Sequence, residues 1–173
     1  MFAVTLAELN RLPASAFEAA LGAIYEHSPW VARRAYGARP FASVDALHGA
    51  MTAAVRAASR EEQLALVRAH PELAGAEAKA GALTPHSTGE QARLGLQALT
   101  GEEFKRIGEL NRRYRSKFGF PCIVALRLHA TRASMLAEME ARLANSADEE
   151  LDNALAQIGH IARGRLATMF GEG

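Results

Sequence analysis

Two short polar segments, about twenty residues apart, hold the side chains best suited to chemistry in this chain. The first is Ala69-His70-Pro71-Glu72-Leu73; the second runs from Leu83 through Thr84-Pro85-His86-Ser87-Thr88-Gly89-Glu90 to Gln91. An imidazole titrates near neutrality, so His70 can give and take a proton. The proline after it disfavours α backbone and directs its ring out of a loop. A histidine at a loop exit can equally serve as a structural hydrogen bonder. Glu90, third after Ser87, matches a capping box, in which hydroxyl and carboxylate satisfy the free amides of a first helical turn. A helix N-terminus there would present Ser87 and nearby amides to an anionic group. Gln91 adds an amide donor and acceptor suited to a ureide or carboxamide, or to solvent. The residues alone leave catalytic and structural roles open.

The elements that must position these groups are helices. Thr5-x-x-Glu8, Ser15-x-x-Glu18, Ser59-x-x-Glu62, Ser87-x-x-Glu90, Thr100-x-x-Glu103 and Ser146-x-x-Glu149 all read as helix starts. Apolar residues follow at helical spacing, as in Phe17, Ala20, Leu21 and Ile24, or Phe104, Ile107 and Leu110. Pro13, Ser28-Pro29 and the turn from Gly37 to Pro40 separate short helices, and the next pattern runs from Val44 to Ala58. The stretch 69–89, with two prolines and three glycines, is the longest irregular candidate and the place where function would concentrate; Glu77 to Ala80 could form only a brief helix in it. Phe118-Gly119-Phe120-Pro121 ends a helix from Glu102 to Lys117, and Cys122-Ile123-Val124-Ala125-Leu126 follows as a buried extended segment or a helical turn. Helices near 132–144 and 147–170 complete the chain. The expectation is an all-α, single-domain bundle over 1–173, of about eight or more helices, with an irregular active-site segment near 69–89.

Composition narrows the function classes. The formal charge of +1 argues against a surface built for nucleic acid, and the cations in Asn111-Arg112-Arg113-Tyr114-Arg115-Ser116-Lys117 spread around a helix as a solvated face would. The six histidines show no metal-ligand spacing, so no metal is expected, and no glycine-rich nucleotide loop is present. Cys122 reads as a buried structural thiol. Met1-Phe2-Ala3-Val4-Thr5-Leu6 is a poor signal peptide, the tail Phe170-Gly171-Glu172-Gly173 is no peroxisomal tripeptide, and no run is apolar enough to span a bilayer. A soluble cytoplasmic protein with neither nucleic-acid nor membrane partner is expected.

Four ordered segments complete the reading: His70-Pro71-Glu72-Leu73-Ala74-Gly75; Leu83-Thr84 with Ser87-x-x-Glu90-Gln91; Asn111-x-x-Tyr114-x-x-Lys117-Phe118-Gly119-Phe120-Pro121; and Ile161-Ala162-x-x-Arg165-Leu166. Together they resemble the OHCU decarboxylase family, which acts on 2-oxo-4-hydroxy-4-carboxy-5-ureidoimidazoline in urate breakdown. The resemblance implies an all-helical, cofactor-free, often homodimeric enzyme that releases carbon dioxide and forms (S)-allantoin. It implies that His70 and Glu90 are catalytic and that Ser87, Gln91 and Arg165 contact substrate. Pro71 and the backbone of Cys122, Ile123, Val124, Ala125 and Leu126 would line the pocket. Cys122 departs from the phenylalanine that many members carry after the proline. Arg163, two positions from Arg165, falls on another helix face. The alternative is an inert helical module that binds a ureide or a protein partner through the same pocket.

Overall fold

Four of the six hydroxyl–glutamate pairs start helices in the computed structural model, which describes residues 4–172. Reciprocal capping bonds form at Thr5 and Glu8, Ser59 and Glu62, Thr100 and Glu103, and Ser146 and Glu149. Residues 1–3 of the stretch read as a poor signal peptide, and Gly173 of the tail, lie outside the described residues. Every regular element among the described residues is helical.

Contacts along the backbone divide the chain into two compact units, 1–69 with 159–173, and 70–158. The first unit holds α1 (Leu6–Leu9), α2 (Ala14–Leu21), α3 (Trp30–Ala35), α4 (Val44–Ala57) and α5 (Arg60–Ala69). Their apolar stripes bury Leu9, Phe17, Leu21, Val31, Leu47, Met51, Leu66 and Val67, together with Ala162 and Leu166 from the last helix. Phe17 packs edge-on against Tyr36 at 5.3 Å, and the Arg39 guanidinium lies over the Tyr36 ring while donating to the carbonyls of Asn10 and Leu12. Ser15 does not cap α2. That helix begins two residues earlier than a Ser15 cap would start it, at Ala14, directly after Pro13, whose fixed φ sets up the first turn and leaves no side-chain cap.

The second unit holds α6 (Ala76–Lys79), α7 (Pro85–Arg93), α8 (Gly101–Phe118), α9 (Arg132–Arg142) and the first half of α10 (Ala147–Met169), whose residues from Gly159 onward count with the first unit. Its core is Ile107, Leu110, Tyr114, Phe120, Met135, Met139, Leu151 and Leu155 with the segment 122–126. Gly119 ends α8 in the left-handed region (φ 78°), where a residue without Cβ is unstrained, and its amide donates to the Arg115 carbonyl. Residues 121–125 run irregular and extended before one 3₁₀ turn at Leu126–Leu128, so both halves of the expectation for this stretch occur in succession. No helix among the described residues is long and apolar enough to cross a membrane.

Candidate active site

The structure corrects the reading of Glu90 as a capping residue. Thr84 is the N-cap of α7, its hydroxyl accepting from the Ser87 amide at 3.3 Å, and Pro85 takes the first helical position. Proline is favoured there because its missing N–H is one the helix cannot use. Ser87 is therefore the third residue of α7 and Glu90 lies inside the helix, where capping cannot account for its carboxylate. Ser87, Glu90 and Gln91 fall at helical offsets of three and four and share a face, Ser87 and Gln91 buried and Glu90 half-buried.

His70 opens the second unit, buried to 6% exposure, in a turn that α7 and α8 grip. The Gln91 Oε1 accepts from the Ala74 amide at 3.0 Å, and its Nε2 donates to the Glu72 carbonyl at 3.3 Å. From α8, Asn111 Nδ2 donates to the Leu73 carbonyl at 2.9 Å and Arg115 Nε to Glu72 Oε1 at 2.7 Å. The turn needs holding. Ala74 has φ 50°, a left-handed conformation that costs an L-residue about 1–2 kcal/mol. A Cβ on Gly75 would sit 2.7 Å from the Glu72 Cβ, so only glycine fits that close approach.

The 122–126 segment is fixed as firmly. Arg142 NH1 donates to the Ile123 carbonyl at 2.5 Å, the Ala125 amide to Gln157 Oε1 at 2.8 Å, and Arg93 NH2 to the Leu126 carbonyl at 2.9 Å. Arg142 belongs to a buried polar cluster. Its Nε meets Glu150 Oε1 at 2.7 Å, Tyr114 donates to the same oxygen at 2.6 Å, and Asn145 and Asn153 donate to Oε2 at 2.8 and 2.7 Å. Burial pulls the Glu150 carboxyl upward, but these donors and the Arg142 charge outweigh it and hold the group below its ordinary value. Burial is also the main reason the Cys122 thiol is pushed up to about 12. Folded protein is expected to resist alkylation by iodoacetamide at about pH 8, because the thiolate is the nucleophile, and to label fully once unfolded in guanidinium. Rapid labelling of the folded protein would contradict the burial of that thiol.

Thus α7 is joined by Gln91 to the His70 turn and by Arg93 to the 122–126 segment, and three of the sequence-derived groups come together within the second unit. Pro71 is half-buried in the turn itself. Arg165 lies in the first unit, 2% exposed. Its NH2 is 2.9 Å from Glu26 Oε1, and its NH1 is 3.4 Å from the Ala23 and Ile24 carbonyls. A buried carboxylate keeps this guanidinium charged and oriented without solvent. Arg163 is committed elsewhere, to Asp45 and Glu172, both at 2.8 Å, as its different helix face requires.

Glu26, Asn111 and Glu150 were not given roles by the sequence, and Arg115, read there as a cation of a solvated helix face, is tied to Glu72. Only Asn111 carried a signal, as part of an ordered motif. A cavity of about 680 Å³ in the second unit borders Ala74 and Gln91 and is lined by Leu83, Leu96 and Phe104 with Lys79 and Gln97, but not by His70, Ser87 or Glu90.

Comparison with known proteins decides the family. The family model described as OHCU decarboxylase matches residues 10–167. The chain belongs to the OHCU decarboxylase family. A Haloferax volcanii relative named 2-oxo-4-hydroxy-4-carboxy-5-ureidoimidazoline decarboxylase is 44% identical over 98% of this chain and 98% of its own length. One of the same name from Halalkalicoccus jeotgali is 39% identical over 96% of this chain and 92% of its own. Among solved structures, one described as (S)-allantoin synthase superposes with a TM-score of 0.75 at 31% identity, covering 96% of this chain; the chain spans 54% of that protein's length. The OHCU decarboxylase motifs quoted from the sequence therefore sit in a fold of the matching kind.

Proposed function

We propose that this chain is a cofactor-independent decarboxylase that converts 2-oxo-4-hydroxy-4-carboxy-5-ureidoimidazoline to (S)-allantoin and carbon dioxide. The observation that carries the reading is the direct joining of the His70 turn, the Ser87–Glu90–Gln91 face and the 122–126 segment, in a chain that aligns end to end with a relative of that name.

Loss of carbon dioxide leaves an electron pair on the former carboxyl-bearing carbon, and the adjacent carbon–nitrogen system of the substrate ring can delocalise it. The protein's work is then to bind, orient and protonate. Arg165 holds a substrate anion through its guanidinium fork, with Glu26 fixing the fork's plane. Glu90 hydrogen-bonds the substrate hydroxyl from its position inside α7. His70 handles the proton, and delivery to one face gives a single enantiomer. Ser87 and the backbone of Cys122, Ile123, Val124, Ala125 and Leu126, with Pro71, fix the ureido and ring groups. Gln91 can do the same while holding the turn. Its amide nitrogen carries two hydrogens and its oxygen two lone pairs, and the turn uses one of each. The chain acts as a single catalytic domain over 1–173, in the cytoplasm, as a homodimer. Light scattering behind a sizing column tests that last assignment, and a monomer at working concentration would remove it.

The function itself is tested by generating the unstable intermediate from urate with upstream enzymes and adding this protein. Faster carbon dioxide release and optically active (S)-allantoin are expected. Racemic allantoin formed at the spontaneous rate would leave only the inert ureide-binding module.

A further inference from the structure

The turn that carries His70 is held from outside. Its backbone includes a left-handed alanine, Ala74, and the close approach at Gly75. Strained backbone of this kind persists only where surrounding groups over-determine it. Gln91 supplies one clamp from α7. The other two come from residues one helical turn apart on α8: Asn111, whose Nδ2 reaches the Leu73 carbonyl at 2.9 Å, and Arg115, whose Nε reaches the Glu72 carboxylate at 2.7 Å. Offsets of four place both on one face of α8.

Asn111 is a costly choice if it served stability alone. It is buried to 5% exposure, and among the described residues no hydrogen-bond donor reaches its Oδ1. A buried acceptor left without a protein partner works against folding, a cost that a leucine, with the same branching and number of side-chain heavy atoms, would avoid. What leucine lacks is the donor to Leu73.

We propose that Asn111 and Arg115 are positioning residues that hold the 70–75 turn in the conformation that places His70 for proton transfer. The inference rests on the role given to His70 above. Neither residue needs to touch substrate. Their effect is on the fraction of time the imidazole spends where the reaction needs it. Loosening them therefore lowers kcat and leaves KM, set by groups such as Arg165, nearly unchanged. A purely structural role would lower the melting temperature and leave the turnover of the folded fraction alone.

The test is steady-state kinetics on Asn111→Leu and Arg115→Gln with His70→Asn alongside. Asn111→Leu is expected to lose roughly tenfold or more in kcat, as small misplacement of a reacting group does, with KM within about twofold. Adding Ala74→Gly, which makes the left-handed conformation unstrained, is expected to restore part of that loss. Arg115→Gln removes a half-exposed tether and folds regardless; a severalfold fall in kcat at constant KM is expected. If Asn111→Leu does not fold, Arg115→Gln alone decides, and wild-type kcat there overturns the proposal. A folded Asn111→Leu with wild-type kcat, or a loss that Ala74→Gly leaves untouched, overturns it as well. Full turnover in His70→Asn sinks the underlying reading instead. An inactive His70→Asn beside fully active Asn111→Leu and Arg115→Gln sinks only the tether.

Discussion

Asparagine in place of His70 is expected to lower kcat on the ureidoimidazoline substrate by about a hundred- to ten-thousandfold, the usual contribution of a positioned acid–base group. The substitution keeps a planar polar side chain in a buried site, so the fold should survive, with stability changed by about 1 kcal/mol. KM should move little, since the anion clamp and the amide donors are untouched. Helical circular dichroism and a melting curve close to wild type would establish that the loss is chemical. Full turnover in a folded His70→Asn protein would pass the proton step to Glu90, which sits half-buried inside α7.

The largest expected effect on stability lies at Glu150. Alanine there removes the only carboxylate of a cluster in which Arg142 is buried to 6% exposure, and leaves that guanidinium charged with no counter-ion in the cluster. Breaking a buried pair from one side costs about 3–5 kcal/mol, against a typical total of about 5–15 kcal/mol. Urea unfolding should show the midpoint falling accordingly. The pH dependence has a definite sign. The Glu150 carboxyl titrates below its ordinary value in the folded protein, so its contribution is complete above the unfolded value and is lost as pH falls through the lowered one. Glu150→Gln should therefore flatten the acid limb of the stability curve as well as lower its plateau. An unchanged acid limb would show that the cluster does not depend on the charge.

Local signals in the sequence located the helices, because capping pairs and apolar periodicity act within a few residues. The two misread starts have the same cause. At Ser15 and Ser87 a proline shortly upstream brought the helix start forward: Pro13 stands at the N-cap position of α2, and Pro85 takes the first helical position of α7 behind the Thr84 cap. The identity of the site residues was legible through ordered motifs, while their geometry was not. Asn111 meets Leu73 across 38 residues, and Arg165 meets Glu26 across 139. No periodicity reports a contact made by tertiary folding. Gln91 shows the same limit in another form: its type announced an amide suited to a ureide, and only the fold revealed that the amide also holds the backbone beside His70.

The grips on the His70 turn also impose an order on biosynthesis. The histidine is translated well before Gln91, Asn111 and Arg115, so a nascent chain that has just passed Gly75 holds the acid–base residue in a segment with none of its tethers yet made. Two of the three tethers come from α8, so the turn has its full set only after α8 has left the ribosome. A product truncated before Asn111 would carry the histidine without the geometry, and detection of the residue in a fragment would say nothing about enzyme activity.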